Sequence, residues 1–213
     1  MTKLRVGGAW VEFEEAQRWA TDYLANNEVM SAYPAYDGYP GSPTSTLGPQ
    51  DLLAPALLNV SQNPVAAYYG LQALSGPLNE QLARVAPDAN LADDRIEIVD
   101  QIGRLFDVLD EHPTKYVKLT TLSKVLHRKR PHLVPLFDAH IHWCYTLHRD
   151  APVPEQPGRS KAGYRRAWIH AVRQDLIDQE HRWGEIAAIA PGPLITPLRA
   201  LDIVGWELGK RHL

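Results

Sequence analysis

Lys124 and Asp138 are the two side chains whose types best suit them to covalent or acid–base chemistry, and they stand fourteen positions apart in TKYVKLTTLSKVLHRKRPHLVPLFDAHIHWCYTLHR, residues 114–149. A carboxylate such as Asp138 can act as a general base or stabilise a developing cation; as the first residue of a helix it can also simply cap it. A lysine amine can hold a phosphate as a point charge or, once desolvated, attack carbon as a nucleophile. Between the two lies His127-Arg128-Lys129-Arg130, a compact basic cluster of the kind that meets phosphates. His140 and His142 follow Asp138 in the run D-A-H-I-H. Imidazoles two apart on a helix point in different directions, and no HExxH or paired cysteines accompany them, so no metal site and no cofactor are expected. His140 is taken instead as a substrate contact. Upstream, Tyr36, Asp37 and Tyr39 offer ring faces, hydroxyls and a carboxylate that suit a base or sugar.

The elements that must position these groups are helices. Leu119, Leu122, Val125 and Leu126 recur on one side of a wheel, with Thr120, Lys124, His127 and Arg128 on the other, which predicts an amphipathic helix. Pro131 and Pro135 interrupt it, and a short second helix is expected from Asp138, carrying Ile141, Cys144 and Tyr145 inward. Lys3–Val6 reads as a short strand closed by Gly7-Gly8, and Val11 to Asn26 as a helix stopped by Asn26-Asn27. Residues 30–50 form a tyrosine- and proline-rich loop, too long to be a plain connection. Its alternative role is to pack its tyrosines against the body of the protein. Helices are expected over 49–60, 64–74 and 77–85, and from Asp93-Asp94 to Glu111 with Ile98, Ile102, Leu105, Phe106 and Leu109 inward. Residues 151–163 are a Pro/Gly-rich connection. A long helix is predicted from Tyr164 to about Ala188. A last one follows Thr196-Pro197, with Leu198, Leu201, Val204 and Leu208 inward. The expectation is one all-α domain over residues 1–213.

The chain of 213 residues is long enough for one good core. Its net charge of −3 hides a strong polarity. Residues 113–173 hold twelve Lys and Arg against three acids, a surplus of nine, while the rest holds ten basic and 22 acidic residues. That predicts an anionic ligand, a nucleotide or nucleic acid; the alternative is mutual neutralisation within the chain or across a homo-oligomer contact. The single cysteine excludes an intrachain disulfide and an iron–sulfur cluster, and with no signal-like or membrane-spanning run the expected location is cytoplasmic, away from membranes. There is no GxSxG elbow, P-loop or dinucleotide-binding fingerprint.

Ser123, Lys124, Leu126, His127, Arg130, Pro131, Leu133, Pro135 and Asp138 spell S-K-x-L-H-x-x-R-P-x-L-x-P-x-x-D, which resembles an uncharacterised bacterial domain family. More distantly the stretch is similar to the helix-hairpin-helix DNA glycosylase superfamily. That likeness implies an all-helical fold with Lys124 matching the lysine of the bifunctional members and Asp138 the catalytic aspartate. It departs where those enzymes carry a glycine-rich hairpin, here YVKLTTLS at 116–123. The expectation is a glycosylase-type enzyme acting on a nucleotide, nucleoside or nucleic-acid base in a basic cleft. Asp138 and Lys124 would be catalytic, Arg128 and Arg130 would contact phosphate, His127 and His140 would line the site, and Tyr36 and Tyr39 would stack on the base beside Asp37. The alternative is a non-catalytic protein that binds nucleic acid or an anionic metabolite.

Overall fold

A β-hairpin opens the chain in the computed structural model, which describes residues 3–25, 31–58, 63–93, 95 and 97–213. Strands β1 (Lys3–Val6) and β2 (Ala9–Glu12) pair antiparallel around a two-residue turn. Leu4, Val6, Ala9 and Val11 point inward while Trp10 stays exposed, an alternation of period two. Gly7 makes the turn with φ at +61°, and a Cβ there would lie 2.3 Å from the Cys144 carbonyl oxygen. The second strand is a correction to the sequence reading, which began a helix at Val11; four residues are too few for alternation to stand out.

Helix α1 (Phe13–Ala25) follows; its expected Asn26-Asn27 stop lies outside the described residues. Residues 51–58 form a 3-10 helix with Pro55 inside it, and Val60 is likewise outside the description. The two helices expected around Pro77 are one, α2 (Pro64–Leu82). An interior proline costs about 3 kcal/mol. Burial of Leu71, Leu74, Leu78 and Leu82 along one stripe, about 1.5–3 kcal/mol each, outweighs it. Helix α3 (Ile98–Glu111) buries Ile98, Ile102, Leu105 and Phe106 and ends at His112 as expected. Then come α4 (Leu119–Lys129) and α5 (Ala139–His142), the latter running on into a wide π-type turn, Trp143–Leu147. Ile141, Cys144 and Tyr145 are buried, as their spacing predicts.

The long final-third helix is divided into α6 (Lys161–Asp178) and α7 (Glu180–Ala187). Gln179 is the break. Its side chain accepts from the Arg5 N–H (2.7 Å) and donates to the Arg5 carbonyl (2.9 Å), tying the helix pair to β1. Helix α8 (Pro197–Lys210) starts at Thr196, whose hydroxyl accepts from the Arg199 N–H at 3.0 Å. α5 and α7 pack on α8, α3 packs on α6, and α4 lies against the 3-10 helix. One apolar cluster runs from Leu4 to Leu208. The fold is mostly helical, and among the described residues the only sheet is the small N-terminal one. Among the described residues no helix is long and apolar enough to cross a membrane.

Candidate functional site around Lys124, Asp138 and Arg199

Helix α4 is buried on every side from Thr121 to His127, so the face that its periodicity marks as polar is turned into the protein. The bend at Pro131 and Pro135 returns the chain to α4, where Ser123 Oγ accepts from the Phe137 N–H at 3.1 Å. That clip sets Asp138 beside Lys124. Asp138 Oδ1 accepts from the N–H groups of His140 and Ile141, both at 3.0 Å, capping α5. Its other oxygen lies 3.5 Å from Lys124 Nζ, and the two side chains are 4% (Lys124) and 20% (Asp138) exposed. The carboxylate therefore has one oxygen fixed by the backbone and one shared with a nearly enclosed ammonium.

Beside this pair stands Arg199, in the first turn of α8 and 3% exposed. Its Nε donates to Asp37 Oδ1 (2.8 Å), its Nη1 to Asp202, and its Nη2 to the Tyr23 hydroxyl (2.8 Å). Burial disfavours the charge on Arg199, but Tyr23, Asp37 and Asp202 outweigh it and hold the pKa well above the ordinary value. Burial raises the pKa of Asp202 against the pull of Arg199 and Lys124, and one oxygen of its carboxyl has no partner among the described residues. Lys124, Asp138, Arg199, Asp37 and Asp202 thus form a cluster of two cations and three acids, of which only Asp138 has appreciable access to solvent.

Tyr36, Asp37, His127, Arg128 and Arg199 line a cavity of about 300 Å³, with the exposed Leu194 also on its wall. Tyr36 links cavity and cluster, its hydroxyl donating to the Lys124 carbonyl at 2.7 Å. Its ring already has the near-parallel His127 ring 6.3 Å away and the Arg199 guanidinium 5.5 Å from its centroid. It is wholly buried, so no face is left for a base to stack on. His127 Nδ1 lies 2.7 Å from the Val134 carbonyl, so that nitrogen carries the proton and Nε2 is the acceptor. Burial, helped by Arg199, lowers the His127 pKa to about 3.

The rest of the basic cluster is engaged with the loop that precedes the 3-10 helix. Arg128 Nε donates to the Tyr39 carbonyl (2.6 Å), and the Tyr39 hydroxyl donates to the Gln50 carbonyl. Lys129 pairs with the buried Asp51 at 3.0 Å, and Arg130 donates to the Ser45 carbonyl. Asp51 also accepts from the N–H groups of Ser42 and Gly48, so it organises the loop as well as opening the 3-10 helix. His140 sits apart, its ring edge-on to Trp206 and its Nδ1 buried with no partner among the described residues. Of the sequence-derived residues, Tyr36, Asp37, His127 and Arg128 line the cavity, while Lys124 and Asp138 form the adjoining pair and are not on its lining. Tyr39, Arg130 and His140 lie outside it.

Residues 16–209 match a protein family described as a family of unknown function, DUF6308. The chain belongs to that family. No curated protein and no solved structure matches it. The family match excludes the β-hairpin and takes in the whole cluster, from Tyr23 and Asp37 to Arg199 and Asp202. Sequence reasoning missed three of its members: Tyr23, Arg199 and Asp202. The signal was a charged pair at i, i+3 within LRALDIVGWEL, a helix otherwise apolar enough to be buried all round.

Proposed function

We propose that this protein is a glycosylase-type enzyme acting on a nucleotide, nucleoside or nucleic-acid base, with Asp138 and Lys124 at its centre. The observation that carries this reading is the 3.5 Å contact between a nearly enclosed lysine amine and a carboxylate already fixed at a helix start. Enclosing charges costs several kcal/mol per ion, and apolar residues of similar size would do at least as well for stability. The cluster has one more acid than cations, and that excess suits the positive charge that grows on a sugar as its bond to the base breaks. In the hydrolytic route the C1′–N bond gives its electron pair to the departing base, which takes a proton from solvent. Water adds to C1′ and passes a proton to Asp138. Arg128, on the wall of the 300 Å³ cavity, is the residue assigned to a phosphate.

The second reading is a non-catalytic binding protein for nucleic acid or an anionic metabolite, favoured by the 3% exposure of Lys124, which keeps its amine from a carbon it would attack. A base-release assay over nucleosides, nucleotides and oligonucleotides separates the two. Asp138→Asn retains a favoured N-cap, so the fold and ligand affinity are expected to persist while release falls by about 100-fold or more. If Lys124 is the nucleophile, borohydride traps a covalent adduct with the wild type and none with Lys124→Gln. No release from any substrate by the wild type, with a nucleotide still raising the melting temperature, would leave only the binding reading.

A further inference from the structure

On another side of α4 lies a larger cleft, about 940 Å³, between the end of α3, residues 113–118, the Pro/Gly-rich connection and the first turn of α6. Its volume is in the range that holds a small organic molecule. Leu109, Val117, Leu119 and Tyr164 give it an apolar lining. The Tyr164 hydroxyl is bonded to Thr146 Oγ1 at 2.8 Å, which leaves the ring rather than the hydroxyl to meet an occupant.

The polar groups are biased to one sign. Lys118, Arg159, Lys161 and Arg165 line the cleft against Asp110 and Glu155. Asp110 is already taken by Arg165 (2.5 Å) and Lys161 (3.7 Å). Among the described residues no carboxylate pairs with Lys118 or Arg159. Deeper in, Arg165 is 4% exposed, and while Nη2 meets Asp107 and Asp110 its Nε has no partner among the described residues. The Thr114 hydroxyl, also on the lining, is in the same condition. The first turn of α6 adds N–H groups, of which Ser160 Oγ takes only that of Gly163.

We propose that this cleft binds a small aromatic organic anion. The ring system lies on Leu119 and Tyr164, and the anionic group sits between Lys118, Arg159 and the start of α6. The inference is independent of Lys124 and Asp138 and stands or falls separately from the glycosylase reading.

The test uses 8-anilinonaphthalene-1-sulfonate and its neutral counterpart N-phenyl-1-naphthylamine as fluorescent probes of the full chain. The sulfonate is expected to bind saturably at one site, moving the amide resonances of Ser160, Lys161 and Tyr164 in nitrogen-15 spectra. Lys118→Gln/Arg159→Gln is expected to weaken the sulfonate by about tenfold and leave the neutral probe unchanged, since only charge–charge contacts are lost. Arg128→Gln, in the 300 Å³ cavity, should change neither. Unsaturable binding, resonance shifts confined to another face, an unaffected double variant or loss on Arg128→Gln would each overturn the assignment. The spectra of the wild type decide the matter even if the double variant does not fold.

Discussion

His127 is neutral because its Nδ1–H is committed to the Val134 carbonyl and its ring is enclosed beside Arg199. In the unfolded chain the same imidazole titrates near its ordinary value of about 6.5. The folded form, at about 3, therefore binds fewer protons between those values. The contribution of His127 to stability is full above about pH 6.5 and is lost progressively as pH falls toward 3. Between pH 7 and pH 5 the loss is about 2 kcal/mol, or a fall of about 4–8 °C in melting temperature for a chain of this size. His127→Asn keeps an N–H donor without the titration and should lose less over the same interval; equal slopes in calorimetry would show that other groups set it. Arg199 makes the complementary case. Arg199→Met leaves Asp37 and Asp202 enclosed without a cation, at a cost of about 3–5 kcal/mol in denaturant unfolding. Adding Asp37→Asn and Asp202→Asn should recover much of it. If the triple variant were no more stable than the single one, packing rather than charge would hold this part of the molecule together.

At the scale of elements, most helices can be read from the chain because their signals are local: Pro and Asp at starts, leucine stripes, His112-Pro113 at a stop. What could not be read depended on distant partners. Gln179 breaks a continuous helical pattern by bonding to Arg5, 174 positions away, and no periodicity reports that. The spacing puts Lys124 on the face opposite the leucines, which predicts a polar side of the helix, yet the segment from Tyr36 to the 3-10 helix covers that face. Arg199 and Asp37 are 162 positions apart, so their pairing left no mark in either local stretch. Where a helix position meets nothing, the local rules should hold alone. A Cβ at Gly76, inside α2, would have no atom within 4 Å. Gly76→Ala should therefore stabilise by about 0.5–1 kcal/mol. A loss of stability would mean that α2 needs the glycine beside Pro77 to pass the proline.

Over the whole molecule, the surplus of nine positive charges in residues 113–173 is met in part from within. Arg165 and Arg166 of α6 pair with Asp100, Asp107 and Asp110 of α3, Lys129 pairs with Asp51, and Lys124 with Asp138. Neutralisation inside the chain, one of the two readings that the charge pattern allows, therefore accounts for those four cations. Arg130 and Arg173 are committed as well, to backbone carbonyls. The exposed Lys115 and Lys118 are left without an acid among the described residues, and the half-buried Arg159 likewise, although its Nη1 donates to the nearby Pro154 carbonyl at 2.9 Å. This makes the strength of any polyanion binding a quantitative matter. Affinity for single-stranded nucleic acid falls with salt on a log–log plot with a slope of about −0.7 for each phosphate neutralised. Were the whole surplus available, the slope would be about −6; with three free cations it is about −2. A slope near −2 that flattens on Lys115→Gln and Lys118→Gln, and stays unchanged on Arg165→Gln in protein that remains folded, is the expected result. A slope near −6 would require the α3–α6 ion pairs to open on binding. The acidic helix α3 would then be a displaceable cover over a nucleic-acid surface rather than a permanent partner of α6.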